Sequence, residues 1–155
     1  MNTYLLIKWL HIVSSTVLFG TGIGIAFFKW ITDRSGDVRA IRLSAERTVL
    51  ADWVFTTPAV IVQPLSGIAL AHLAGFSFSN GWLLWSLALY CLAGACWLPV
   101  VSLQLRMRRL ARLADDAKAP LPALYWRDAR RWFWLGVPAF IALMGVFWLM
   151  VAKPL

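Results

Sequence analysis

The sequence predicts an all-α, polytopic membrane protein, with four transmembrane helices in an up-down antiparallel bundle and one domain over residues 1–155. Three observations carry this prediction. Hydrophobic residues make up 61% of the chain and charged residues only 14%, where soluble domains have about 25% charged. Mean hydropathy is +0.71. Four mostly apolar runs, at about 4–30, 49–74, 82–104 and 132–152, are each long enough to cross a hydrocarbon core of roughly 30 Å as a helix.

The formal net charge of +8 would suit nucleic acid, but its placement argues for topology instead. Arg34, Arg39, Arg42 and Arg47 lie between spans one and two, with Lys29 just before them. Arg106, Arg108, Arg109, Arg112, Lys118, Arg127, Arg130 and Arg131 lie between spans three and four. The connection from span two to span three, "GFSFSNG", has no charge. The positive-inside rule places loops 31–47 and 105–131 on the cytoplasmic side, with both termini and the short second loop outside. Span one has no basic segment before it and is too long for a signal-peptide core, so it is expected to stay as an anchor.

Span one contains Gly20, Gly22 and Gly24, a small-residue face suited to close helix packing. It also carries Lys8, His11 and Ser15, which share one face within about 60° at 100° per residue. Span two contains Pro58 and Pro64, which should kink it and free backbone carbonyls. Its Asp52, Thr56 and Gln63 fall within about 40° of one another and form a polar stripe expected to face the bundle. Two roles stay open for Asp52: a helix-end partner of Arg47 or Arg131, or a proton relay. Span three begins with the interfacial pair Trp82 and Trp85 and holds Pro99, Cys91 and Cys96. The two thiols lie about 140° apart on a helix, too divergent for a disulfide. The basic segment after span three is expected to continue the helix and then break at Pro120 and Pro122. Span four has no ionisable residue before Lys153 and serves as scaffold.

Intramembrane ionisable groups are costly, so each is a candidate site. The chain has only two histidines, His11 and His72. The expected topology puts both in the outer half, at depths that differ by only ~6–8 Å at 1.5 Å per residue. Imidazole is a standard axial ligand of haem iron. Two histidines suffice for a haem, which brings its own four in-plane nitrogens, but they are a thin set for protein-bound copper. Lys8 would then pair with a propionate, and Ser15 or a carbonyl freed near Pro64 would support the second ring nitrogen of His11.

The stretches "YLLIKWLHIVSSTVLFGTGIGIAFF", "ADWVFTTPAVIVQPLSG", "CWLPVV" and "PAF" resemble an uncharacterised bacterial family of predicted integral membrane proteins. The Lys8-x-x-His11 step is more distantly similar to the first helix of HemJ-type protoporphyrinogen oxidases and of the copper-resistance protein D superfamily. That resemblance implies a helical membrane bundle with haem b on the histidine of this helix, here His11. HemJ-type proteins also use a lysine in a later helix, and spans two and three here have none.

These observations predict a multi-pass protein of the bacterial inner membrane. It is expected to hold one b-type haem near the periplasmic face between His11 and His72, with Lys8 and Ser15 around it. It would serve electron transfer or act as a small redox accessory, with a membrane redox partner or as a homo-oligomer, and with both axial positions filled an enzymatic reaction at iron is disfavoured. Two alternatives stay open: a cofactor-free assembly factor or small transporter working through Asp52, Thr56 and Gln63, and copper handling.

Overall fold

The computed structural model describes residues 2–77 and 81–153, and no strand occurs among them. Helix α1 runs Thr3–Ser35, α2 Val38–Ala51, α3 Thr57–Leu73, α4 Gly81–Asp116 and α5 Ala123–Ala152. A π-helical turn, Asp52–Thr56, joins α2 to α3 without a break, so Val38–Leu73 is one long helical unit. Four helical units are therefore long and apolar enough to cross a membrane, as the hydropathy predicts. The uncharged connection at 75–81 falls partly on residues 78–80, which lie outside the described residues, as do 1, 154 and 155.

The basic segments are mostly helical, so the helices run on past the apolar spans. Between spans one and two only Gly36 and Asp37 leave helical order. Gly36 takes the left-handed conformation (φ 70°) that ends α1, a position where glycine has no Cβ penalty. Asp37 then caps α2, accepting from the backbone N–H groups of Arg39 (2.9 Å) and Ala40 (3.2 Å). Likewise α4 runs on to Asp116 as expected, and only 117–122 are non-helical, with Pro120 and Pro122 preventing continuation.

The wide turn at Asp52–Thr56 has a local cause. Pro58 lacks an N–H and its ring crowds the carbonyl four residues before it. The chain relieves this by widening one turn, and the Thr57 N–H reaches back to the Asp52 carbonyl instead.

Packing is uneven along the bundle. The hydrophobic core gathers Ile41, Met107, Ala111, Tyr125 and Trp132, so it sits at the basic end, where α2 joins α4 and α5. Asp128 is fully buried there and takes a two-point ion pair from Arg106. Towards the other end the helices form two pairs, α1 with α3 and α4 with α5. No Cα atoms of α3 and α4 come within 8 Å of each other among the described residues, and α1 barely meets α5. The pairs touch through long side chains: Tyr90 donates to the Val60 carbonyl at 2.7 Å, and Phe19 stacks on Phe140 with ring centres 5.0 Å apart. Outward-facing Trp9, Phe28, Trp85, Trp134 and Trp148 are exposed, a surface suited to lipid.

Candidate functional site

His11 is held by a closed polar cluster between α1 and α3. Its Nδ1 lies 2.9 Å from Ser66 Oγ, and Ser66 gives its own hydrogen to the Val62 carbonyl at 2.7 Å. Ser66 must therefore accept from His11 Nδ1–H. That leaves His11 Nε2 as an acceptor for the Gln63 amide, 3.1 Å away. The Gln63 amide oxygen accepts in turn from Ser14, which also lies 3.0 Å from the His11 carbonyl. Ser14 and Ser66 are both buried. In a medium without water such a satisfied set locks two helices in one register.

The other residues singled out beside His11 lie elsewhere. Ser15 donates to the Ile12 carbonyl of its own helix at 2.8 Å. Lys8 is exposed, with its ammonium 5.9 Å from the Tyr4 ring centre. His72 is exposed in the last turn of α3. Gly67 faces the His11 ring beside Ser66 and Gln63, and His72 is rotated about 140° away from Gly67 and about 7.5 Å farther along. The two histidines do not form opposite sides of one site, and both ring nitrogens of His11 are already used. The residues present thus do not fit a bis-histidyl haem. Among the described residues there is also no group of three or more His, Cys, Asp or Glu suited to a metal ion.

The polar stripe of span two divides. Thr56 donates to Asp52 Oδ1 at 2.7 Å, but Gln63 turns to His11. Rotation at a constant 100° per residue fails across the π-helical turn, which holds more residues per turn than an α-helix. Asp52 pairs with neither Arg47 nor Arg131. It is only 7% exposed, and its Oδ2 is buried without a hydrogen-bond partner among the described residues.

Asp52 and Thr56 border a cavity of about 420 Å³ between the two helix pairs. This is within the range of small-molecule sites. Its walls are mostly apolar, drawn from α1, α3, α4 and α5, and its polar groups are Asp52, Thr56, Gln104 and Tyr90. Because α1 and α5 barely meet, the cavity reaches the lipid-facing side chains Ile23, Phe133 and Ile141. Neither histidine borders it. A second, smaller cavity of about 60 Å³ lies on the other side of Asp52, Trp97 and Gln104.

Sequence reasoning missed Ser14, Ser66, Gln104 and the buried role of Lys29. Lys29 is 1% exposed. Its ammonium binds both Asp33 carboxylate oxygens (3.0 and 2.9 Å) and the Tyr125 hydroxyl (2.8 Å). Asp33, one turn after Lys29, was the available signal.

A family model described as "Predicted integral membrane protein (DUF2269)" matches residues 5–154, and the chain belongs to that family. No curated protein and no solved structure matches it.

Proposed function

As a member of this family of integral membrane proteins, we propose, the chain is an intramembrane binding protein for a lipophilic small molecule, in the manner of a small carrier or transporter. The observation that carries this reading is the cavity between the two helix pairs, mostly apolar along its walls and bordered by Asp52, Thr56 and Gln104. A buried carboxylate oxygen with no partner is expensive in hydrocarbon and marks a functional group more often than a structural one. The lateral opening between α1 and α5 would admit a ligand from the bilayer. The charge distribution supports an inner-membrane location with the basic end in the cytoplasm, and Asp52 would then lie in the cytoplasmic half.

The test is solvent extraction and mass spectrometry of protein purified into lipid nanodiscs, beside Gly94→Leu. Gly94 borders the cavity, and a Cβ there would meet nothing within 4 Å, so leucine fills space without a backbone clash. A lipophile retained by the wild type and lost from Gly94→Leu is expected. The same extract from both proteins would overturn the reading.

One observation favours haem b on His11 alone as a second reading. The Ser66 bond fixes the proton on Nδ1 and leaves Nε2 as a lone pair, the tautomer that ligates metal. Gln63 would have to withdraw from Nε2 for that reading to hold.

A further inference from the structure

The rims of the lateral opening point to the class of lipophile, an inference that rests on the binding function proposed above. Ile23 on α1 and Ile141 on α5 border the cavity and are also exposed, so they mark the two sides of its mouth. Followed along α1 towards the basic end, the face of Ile23 continues through Phe27, Trp30 and Arg34. Followed along α5 towards the same end, the face of Ile141 continues through Val137, Trp134 and Arg130. Each set has the spacing i, i+4, i+7, i+11 and keeps within about 60° on its helix. Both rims therefore run from an isoleucine at the mouth through an apolar residue and an exposed tryptophan to an exposed arginine.

The α5 rim carries the denser charge. Arg127, three residues before Arg130 and four before Arg131, neighbours both, and all three are exposed. Side chains at these spacings have Cβ atoms about 5–6 Å apart, close enough to converge on one anion, and like charges there cost the helix stability. No carboxylate offsets them. The ion pairs among the described residues use Lys29, Arg42 and Arg106, which take Asp33, Glu46, Asp115, Asp116 and Asp128. Asp37 caps α2 and Asp52 is buried, so all seven acidic residues are engaged elsewhere. Arg34, on the facing rim, has only the Trp30 ring beside it, 4.7 Å from the ring centre. Exposed tryptophans mark a bilayer edge. A soluble anion would have no use for the apolar residues that continue each rim, whereas a phospholipid uses both parts. From Arg130 to Ile141 is about 16 Å at 1.5 Å per residue. That is close to half of a ~30 Å hydrocarbon core, the depth an acyl chain spans in one leaflet. Juxtamembrane arginines favour an anionic head group, while a zwitterionic one brings a cation of its own beside them. We propose that the cavity takes an acyl chain of an anionic phospholipid, which enters between α1 and α5 with its phosphate on Arg127, Arg130 and Arg131.

The test offers detergent-purified protein phosphatidylglycerol and phosphatidylcholine with identical chains, each carrying a diazirine near a chain end. Native mass spectrometry counts the retained lipid, and peptide mapping after photolysis locates the chain. Phosphatidylglycerol should be retained about tenfold or more over phosphatidylcholine, with adducts on cavity residues such as Gly136 and Ala139. Arg127→Gln, Arg130→Gln and Arg131→Gln together should remove that preference and leave phosphatidylcholine retention unchanged, which controls for folding. Arg108→Gln, Arg109→Gln and Arg112→Gln together remove the same charge from α4, which does not form the mouth, and should keep most of the preference. Equal retention of the two lipids, or equal loss from both triple variants, overturns the head-group assignment. If Gly94→Leu nonetheless abolishes the chain adducts, the cavity still binds lipophiles and only the assignment falls. A preference for phosphatidylglycerol with adducts confined to lipid-facing residues, unchanged by Gly94→Leu, overturns the entry of the chain. Absence of adducts from either lipid, with no lipophile extracted from the wild type, overturns the binding function as well.

Discussion

The Lys29 ammonium sits 2.8 Å from the phenolic oxygen of Tyr125, 96 residues away in the chain, and Tyr125 passes its own hydrogen to Asp33 at 2.7 Å. Each of the three groups therefore contacts the other two, and the triangle ties α1 to α5 at the basic end, where those helices otherwise barely meet.

The triangle predicts an order of mutational costs. Tyr125→Phe leaves the ion pair intact and should cost about 1.5–3 kcal/mol, the scale of a hydrogen bond to a charged group. Lys29→Met leaves Asp33 largely buried without its cation and should cost about 3 kcal/mol or more. Unfolding in mixed detergent micelles measures both, and the reverse order would remove the triangle from the list of stabilising contacts.

The His11 cluster predicts smaller effects. Ser66→Ala should destabilise by about 0.6–1.7 kcal/mol, the range of interhelical hydrogen bonds in membranes. Gly67 is tighter: a Cβ there would lie 3.2 Å from His11 Cε1, and the ring cannot shift without loosening a bond at one nitrogen. Gly67→Val should therefore lower the melting temperature in detergent more than Ser66→Ala does. Equal melting of Gly67→Val and wild type would show that the ring moves freely.

Optical spectra of protein made with ample haem supply should show no α-band that depends on both histidines. A sharp dithionite-reduced band abolished by His11→Ala and by His72→Ala alike would reverse that expectation and bring the two helices closer than their rotation allows.

Sidedness is tested with single cysteines in a Cys91→Ser, Cys96→Ser background. Ala74→Cys should react with a membrane-impermeant maleimide in intact cells, and Ala117→Cys only after the cells are opened. The opposite pattern would invert the topology.

Hydropathy made the four spans legible, since crossing a bilayer demands about twenty apolar residues wherever the side chains point. The ends were less legible. Arginines at 34, 39, 42 and 47 read as loop, yet arginine is a good helix former, and only Gly36 and Asp37 break the helix. Lys29 looked like one more topogenic charge because nothing local reveals that Tyr125 will meet it. Ser15 and Ser14 are almost equally placed relative to His11 on a helical wheel. Which of them turns towards α3 depends on the partner helix, which a single helix cannot encode. The cavity left no periodic signal at all, because it is a gap between pairs rather than a property of any one segment.

Concentrating the core at one end gives the protein leverage. Helix α4, with 36 residues, is about 54 Å long at 1.5 Å per residue. A tilt of about 5° pivoting at Met107, about 39 Å from the far tip at Gly81, would move that tip by about 3.4 Å, roughly the thickness of an aromatic ring. Small repacking among a few side chains in the basic half would therefore change how far the two helix pairs stand apart deep in the bilayer.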